Sequence, residues 1–261
     1  MKKNNLNVPN LTLSQMGEGA KRPKLSVIIP AYNEEKRIAA TLESIDGYLA
    51  KQKYPYEVVI IDNGSNDSTY ELVKKIAEGV RHIKIDEAHE AGKGGAVAHG
   101  ITRHAEGEFI MFMDADNATP ISEIEKFWPH LQKGASVVIG SRYLTGANVT
   151  QKQPLYRIVL SRMSNLLIQV LAVPGIKDTQ LGFKVFTHKA AKEIFSRITV
   201  FGWGFDMEVL TIARAHGFKI VEVPVLWREQ GGSHVPLSAY AKSLLDLLKI
   251  KWNLISGLYR K

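Results

Sequence analysis

The stretch LSVIIPAYNEE, residues 25–35, is an apolar run that breaks into polar, turn-forming residues. Helical periodicity follows over 34–49, then a second apolar run, YEVVIID at 56–62, a second helix over 69–78, and HIKID at 82–86. Short apolar runs that alternate with helical segments mark βαβ units, in which a mostly parallel sheet is buried on both faces. The fold class expected is therefore α/β, a Rossmann-like, mostly parallel sheet flanked by helices.

Further along, a helix is expected after GKGG (92–95), a strand at EFIMFMD (108–114), a short helix from Pro120 to Gln132, and a strand at ASVVIGSR (135–142). A polar loop, 144–153, leads into a helix over 154–173 whose polar edge carries Arg157, Ser161, Arg162 and Asn165. The sheet resumes with GFKVF (182–186) and KIVEVPVLW (219–227), and the helix FDMEVLTIARAHG between them ends at Gly217. The organisation expected is a mobile polar tail over 1–24, one α/β domain over 25–237, and a basic amphipathic helix over 238–261. That helix would pack on the domain or rest on a membrane surface.

The 261 residues, 45% of them hydrophobic, suffice for a full core. Cysteine is absent, which excludes disulfides, thiolate metal sites and a cysteine nucleophile. A formal charge of +8 favours anionic partners. The basic residues are dispersed and no nucleic-acid-binding module is recognisable, so a nucleic acid is not the expected partner. Residues 1–24 lack the apolar segment of a signal peptide, and the run LLIQVLAV (166–173) is too short to span a bilayer. A soluble or peripheral protein on the cytoplasmic side is expected.

In an open α/β sheet, ligands bind beyond the carboxyl ends of the strands. Here those ends read PAYNEE, DNGSND, DADNATP and GSRY, four polar termini that would share one edge. Asp114 and Asp116, two apart, would aim carboxylates to one side. Carboxylate oxygens suit Mg²⁺ or Mn²⁺, cations that share their coordination with substrate phosphates. GKGGAVAHG, just before a helix, favours anions, although it is neither a P-loop nor a dinucleotide fingerprint and reads equally as a helix start with a surface lysine. Arg142, Arg162 and Arg228 stand near element ends, where a guanidinium can reach phosphate oxygens. The eight histidines lack a two-histidine metal spacing and read as solvated or packed. Ser65, Ser141 and Ser233 have no nucleophile-elbow context.

With these residues in place, the chain resembles the inverting, nucleotide-sugar-dependent glycosyltransferases of the GT-A fold, family 2, and most of all the dolichyl-phosphate β-glucosyltransferases. The resemblance rests on SVIIPAYNEEKRI, YEVVIIDNGSNDST, GKGGAV, DADNATP, IGSR, KDTQLGFKVF, GWGFDMEVL and EVPVLWREQGGSH, in that order. It implies that Pro30, Tyr32, Glu34 and Asp62 frame the base and ribose and that Lys93 lies against the nucleotide. Asp114 would contact the donor, and Asp116 would bind a metal bridging the diphosphate. Arg142 and Arg162 match positions near the acceptor phosphate, Asp178 an acidic residue beside the reacting centre, and Arg228 a segment that closes over the donor. The implied reaction is glucose transfer from UDP-glucose to a polyprenyl phosphate.

Three positions depart from the family pattern. Asn63 replaces a second acid, Ala118 stands where mannosyl enzymes carry glutamine, and His234 replaces a lysine expected near the diphosphate. The rival readings are a GDP-mannose-dependent mannosyltransferase, a transferase with a soluble acceptor, and an inactive nucleotide-sugar-binding module.

Overall fold

The computed structural model describes residues 22–88, 90, 92–150, 155–230 and 237–260, with the side chains of 155–162 and 237–241 left aside. The mobile tail expected over 1–24 thus falls almost wholly outside the described residues. So does His234.

The strands are β1 (Leu25–Ala31), β2 (Tyr56–Asp62), β3 (Ile83–Glu87), β4 (Phe109–Met113), β5 (Val137–Ser141), β6 (Asn148–Val149), β7 (Phe183–Thr187), β8 (Ile220–Pro224) and β9 (Leu226–Trp227). The helices are α1 (Ile38–Leu49), α2 (Thr69–Gly79), α3 (Lys93–His99), α4 (Trp128–Gln132), α5 (Leu155–Leu171), α6 (His188–Phe195), α7 (Phe205–Ala215) and α8 (Leu237–Ile255). Seven strands form one sheet in the order β3-β2-β1-β4-β7-β5-β8, and β6 pairs with β9 in a separate two-stranded ribbon. The mostly parallel sheet read from the alternation is present. Only β7 runs antiparallel, to β4 on one side and β5 on the other.

Successive side chains of a strand point to opposite faces. Ile28, Phe112 and Phe186 accordingly join one buried cluster, with Phe205 and Ile212 of α7. Val27, Met111 and Val185 join another, with Leu42 of α1 and Phe127. Both faces are thereby dry, which is why the central strands read as unbroken apolar runs.

The local differences from expectation have physical causes. Residues 34–37 form a turn whose Glu34 carbonyl accepts from both Arg37 and Ile38, so α1 starts at Ile38. The helix expected from Pro120 to Gln132 splits into a 3₁₀ segment, Ile121–Lys126, and α4, with Pro129 in the first turn of α4. Helix α6, not anticipated, is a short segment capped by Thr187, whose side chain accepts from the Ala190 N–H.

The antiparallel β7 matters most for the site. Beginning at the edge where its parallel neighbours end, it brings the preceding segment, Asp178 to Gly182, to the carboxyl ends of β4 and β5. Among the described residues, no helix is long and apolar enough to cross a membrane.

Candidate active site

Strand β4 delivers Asp114 and Asp116 to the carboxyl edge. The Asp114 N–H donates to the Gly182 carbonyl (3.1 Å), and the Asp116 Oδ1 accepts from the Ala118 N–H (2.9 Å). Between them and β5 the chain reverses at Asn117, which takes the left-handed conformation (φ 53°) that asparagine tolerates. A Cβ on Gly182 would lie 2.3 Å from the Asp114 carboxylate oxygens, so only glycine lets β7 approach this acid.

Lys93, the first residue of α3, places its Nζ 2.5 Å from Asp114 Oδ1. Burial works against the ammonium, but Asp114, Asp206 and Asp116 outweigh it and hold the Lys93 pKa above its ordinary value. The surface-lysine reading of this motif is therefore corrected: the glycines that flank Lys93 draw it inward. A Cβ at Gly94 would meet Phe205 Cβ at 2.5 Å. Asp116, in contrast, is raised, by burial first and then by the Asp114 charge. Two crowded carboxylates, one held above its usual range, are a donor set of hard oxygens that a divalent cation would satisfy.

Across β7, Arg142 and Asp178 form a bidentate pair. Arg142 Nε donates to Asp178 Oδ2 (2.8 Å), Nη2 to Oδ1 (2.9 Å), and the Arg142 backbone N–H also reaches Oδ2 (2.9 Å). Asp178 is fully buried; burial disfavours its charge, yet Arg142 prevails and lowers its pKa. Glu222 of β8 anchors the loop by accepting from the backbone N–H groups of Lys177 and Asp178. The guanidinium also lies 5.4 Å from the centre of the Trp227 ring. Arg142, Tyr143, Asn165, Gln169 and Lys177 line an open cavity of about 450 Å³.

Sequence reasoning missed Lys184 and Asp206. Lys184, fully buried in β7, donates from Nζ to the Leu181 carbonyl (2.7 Å) and to Asp206 at the start of α7, with the Phe112 ring 5.2 Å away. Burial lowers the pKa of Lys184 and raises that of Asp206. The charges thus alternate from Asp116 and Asp114 through Lys93 and Asp206 to Lys184, whose field reaches Asp178. A lysine inside the apolar GFKVF was the available signal, since an unpaired ammonium would not survive there.

The residues implied for the nucleotide collect at the same edge. Pro30 is partly buried in β1, Tyr32 is 53% exposed, and Glu34 pairs with Arg37, another group that sequence reasoning passed over. Arg37 feels Asp116 and Asp114 as well as Glu34. Both Asp62 oxygens are engaged locally, by the N–H groups of Gly64 and Ser65 and by the Ser65 hydroxyl. Asn63 accepts from the Gly92 N–H (3.2 Å), joining the end of β2 to the loop before Lys93. Arg228 is exposed, and its backbone N–H donates to the Ala118 carbonyl (2.8 Å), next to the acidic loop. Arg162 falls in α5 one turn before Asn165; its side chain lies outside the described residues.

The family model of Glycosyl transferase family 2 matches residues 26–195. Among curated proteins, a dolichyl-phosphate beta-glucosyltransferase of Trichomonas vaginalis is 38% identical over 239 residues, 87% of this chain and 72% of that one. The human dolichyl-phosphate beta-glucosyltransferase is 35% identical over 256 residues, covering 91% and 78%. Of solved structures, glucosyl-3-phosphoglycerate synthase from Mycobacterium tuberculosis, in complex with Mn²⁺, UDP and glucosyl-3-phosphoglycerate, superposes with a TM-score of 0.65 at 20% identity. It covers 88% of this chain and 80% of that one, and the fold is the GT-A arrangement.

Proposed function

The chain belongs to glycosyl transferase family 2, and on that premise we propose that it transfers glucose from UDP-glucose to a polyprenyl phosphate of the dolichyl type. The donor and acceptor follow the relatives named dolichyl-phosphate beta-glucosyltransferase. One observation of this chain carries the acceptor reading. Asn165 and Gln169 of α5 line the cavity beside Arg142 and Lys177, while Met163, Leu166, Leu167 and Val170 of the same helix are exposed. A cationic pocket next to an uncovered apolar helix face suits a ligand with a phosphate head and a hydrocarbon tail.

In this reading an acceptor phosphate oxygen attacks the anomeric carbon as its bond to the UDP oxygen breaks, and inversion gives the β-linked product. A phosphate is already anionic near neutral pH, so the reaction needs positioning more than a strong base. Asp178, both oxygens committed to Arg142, orients that guanidinium and is a poor base. Arg142, with Arg162 as a second candidate, holds the acceptor phosphate. Lys93 and Arg228 face the donor diphosphate, and Pro30, Tyr32, Glu34 and Asp62 border its nucleoside. Mg²⁺ or Mn²⁺, held by Asp116 with Asp114, would neutralise charge developing on the leaving diphosphate. The apolar faces of α5 and α8 would rest peripherally on the cytoplasmic face of a membrane.

The test is turnover of UDP-glucose and of GDP-mannose, each with a short polyprenyl phosphate and with 3-phosphoglycerate, in Mg²⁺ or Mn²⁺. Metal-dependent glucose transfer to the lipid, abolished in Asp116→Ala, is the expected result. Transfer from GDP-mannose instead, or to 3-phosphoglycerate only, would overturn the donor or the acceptor assignment.

A further inference from the structure

Beside β3, the outermost strand of the sheet, helix α3 ends in an irregular turn. Residues Gly100–His104 are π-helical, closed by Ala105 N–H donating to the Gly100 carbonyl, five residues back (3.0 Å). A π turn is rare and tends to occur where function requires it. Its consequence here is chemical. In an α-helix, residues five apart point in well-separated directions, whereas the wider turn brings His99 and His104 together, with ring centroids 5.6 Å apart. The histidines read in sequence as solvated or packed because a five-residue separation brings two rings together only on such a widened turn. Lys192 of α6 supports the widened turn by donating to the Ile101 and Thr102 carbonyls.

Both rings converge on one carboxylate oxygen. Asp86 Oδ2, from β3, lies 2.8 Å from His99 Nε2 and 2.7 Å from His104 Nε2. A second carboxylate, Glu90, stands 4.0 Å from His99 Nδ1. The three ligand atoms of Asp86, His99 and His104 all lie within 4.8 Å of one another. Two imidazoles and two carboxylates thus converge on one site of nitrogen and oxygen donors.

We propose that Asp86, His99 and His104 form a zinc-class metal site, separate from the Asp114–Asp116 pair, which clamps β3 to the end of α3. Imidazole nitrogen with carboxylate oxygen is a donor set suited to Zn²⁺ rather than to Mg²⁺. Bonds of about 2.0–2.2 Å in tetrahedral geometry require ligand atoms about 3.3 Å apart, so the carboxylate and rings separate by about half an ångström. Asp86 and His104 are 43% and 30% exposed and free to make that adjustment, while His99, at 1%, is the fixed point. Water completes the fourth position on the open side. Because α3 begins at Lys93, the clamp secures the helix that carries a lysine to Asp114.

The inference is independent of the transfer reaction, and its test reads binding. Chelator-treated protein is titrated with Zn²⁺ alone, following Tm and heat of binding, for the wild type, His104→Gln and Asp116→Ala. The expected result is one zinc per chain and a rise in Tm of about 5 °C at saturation, kept in Asp116→Ala and lost in His104→Gln. Should His104→Gln fail to fold without metal, Asp86→Asn takes its place. Co²⁺ in the wild type should add the visible absorption of a tetrahedral nitrogen and oxygen site. No rise in the wild type, or a rise lost in Asp116→Ala and kept in His104→Gln, would overturn the proposal; the latter would place zinc on the acidic pair.

Discussion

Asp178 is placed to do one thing well. With no exposed surface, and with both oxygens on Arg142, it fixes a guanidinium that is itself mostly buried. Replacing it with asparagine leaves that charge without its partner, a change expected to cost about 3–5 kcal/mol of stability and to lower kcat far more than it raises KM for the donor. Full turnover in Asp178→Asn would remove the positioning role. The pH dependence has a definite sign. The folded pKa of Asp178 is depressed, so its contribution is present above the unfolded carboxylate value of about 3.9 and lost as pH falls through the folded pKa. The Tm gap between the wild type and Asp178→Asn should therefore be wide at neutral pH and close under strong acid.

Among the elements, α8 joins two surfaces. Its Leu247 and Ile250 are buried in the core cluster that also holds α7, and Asn253 donates to the Tyr259 hydroxyl, which in turn donates to Glu208. Leu245, Leu248, Trp252 and Ile255 remain 53–72% exposed. The apolar side of the amphipathic helix expected over 238–261 is thus divided by packing into a covered edge, with Leu247, and an open face, with Leu248. The two faces should respond differently. Ile250→Ala should lower stability by about 2–5 kcal/mol, the usual cost of emptying a core position. A Leu248→Ser, Trp252→Ser double variant should unfold at the wild-type temperature but bind anionic lipid vesicles several-fold more weakly, measured by sedimentation. Equal vesicle binding would show that the open face does not meet lipid.

For the molecule as a whole, the central fact is that distant segments crowd opposite charges at one sheet edge, so each group's ionisation depends on the rest. Asp116 is raised by burial and by Asp114, and a cation can replace only a proton that has left. Mn²⁺ affinity should therefore fall as pH drops through a value above the ordinary carboxylate range, while an exposed carboxylate site would hold to lower pH; Mn²⁺ titrations at pH 7 and pH 5 check this. The α/β class and the polar strand ends are legible in the sequence alone, because unbroken apolar runs, helical periodicity and turn chemistry are local properties written residue by residue. It marked Asp114 and Asp116 for the same reason, as charges closing the apolar run of β4. That β7 runs antiparallel and so delivers Asp178 to Arg142, and that Lys184 finds Asp206, emerges only in the folded chain. Only there does a π turn bring His99 beside His104. Those outcomes depend on strand direction, partner distance and the width of one helical turn, which are settled by packing between segments far apart in the chain rather than by any stretch of it.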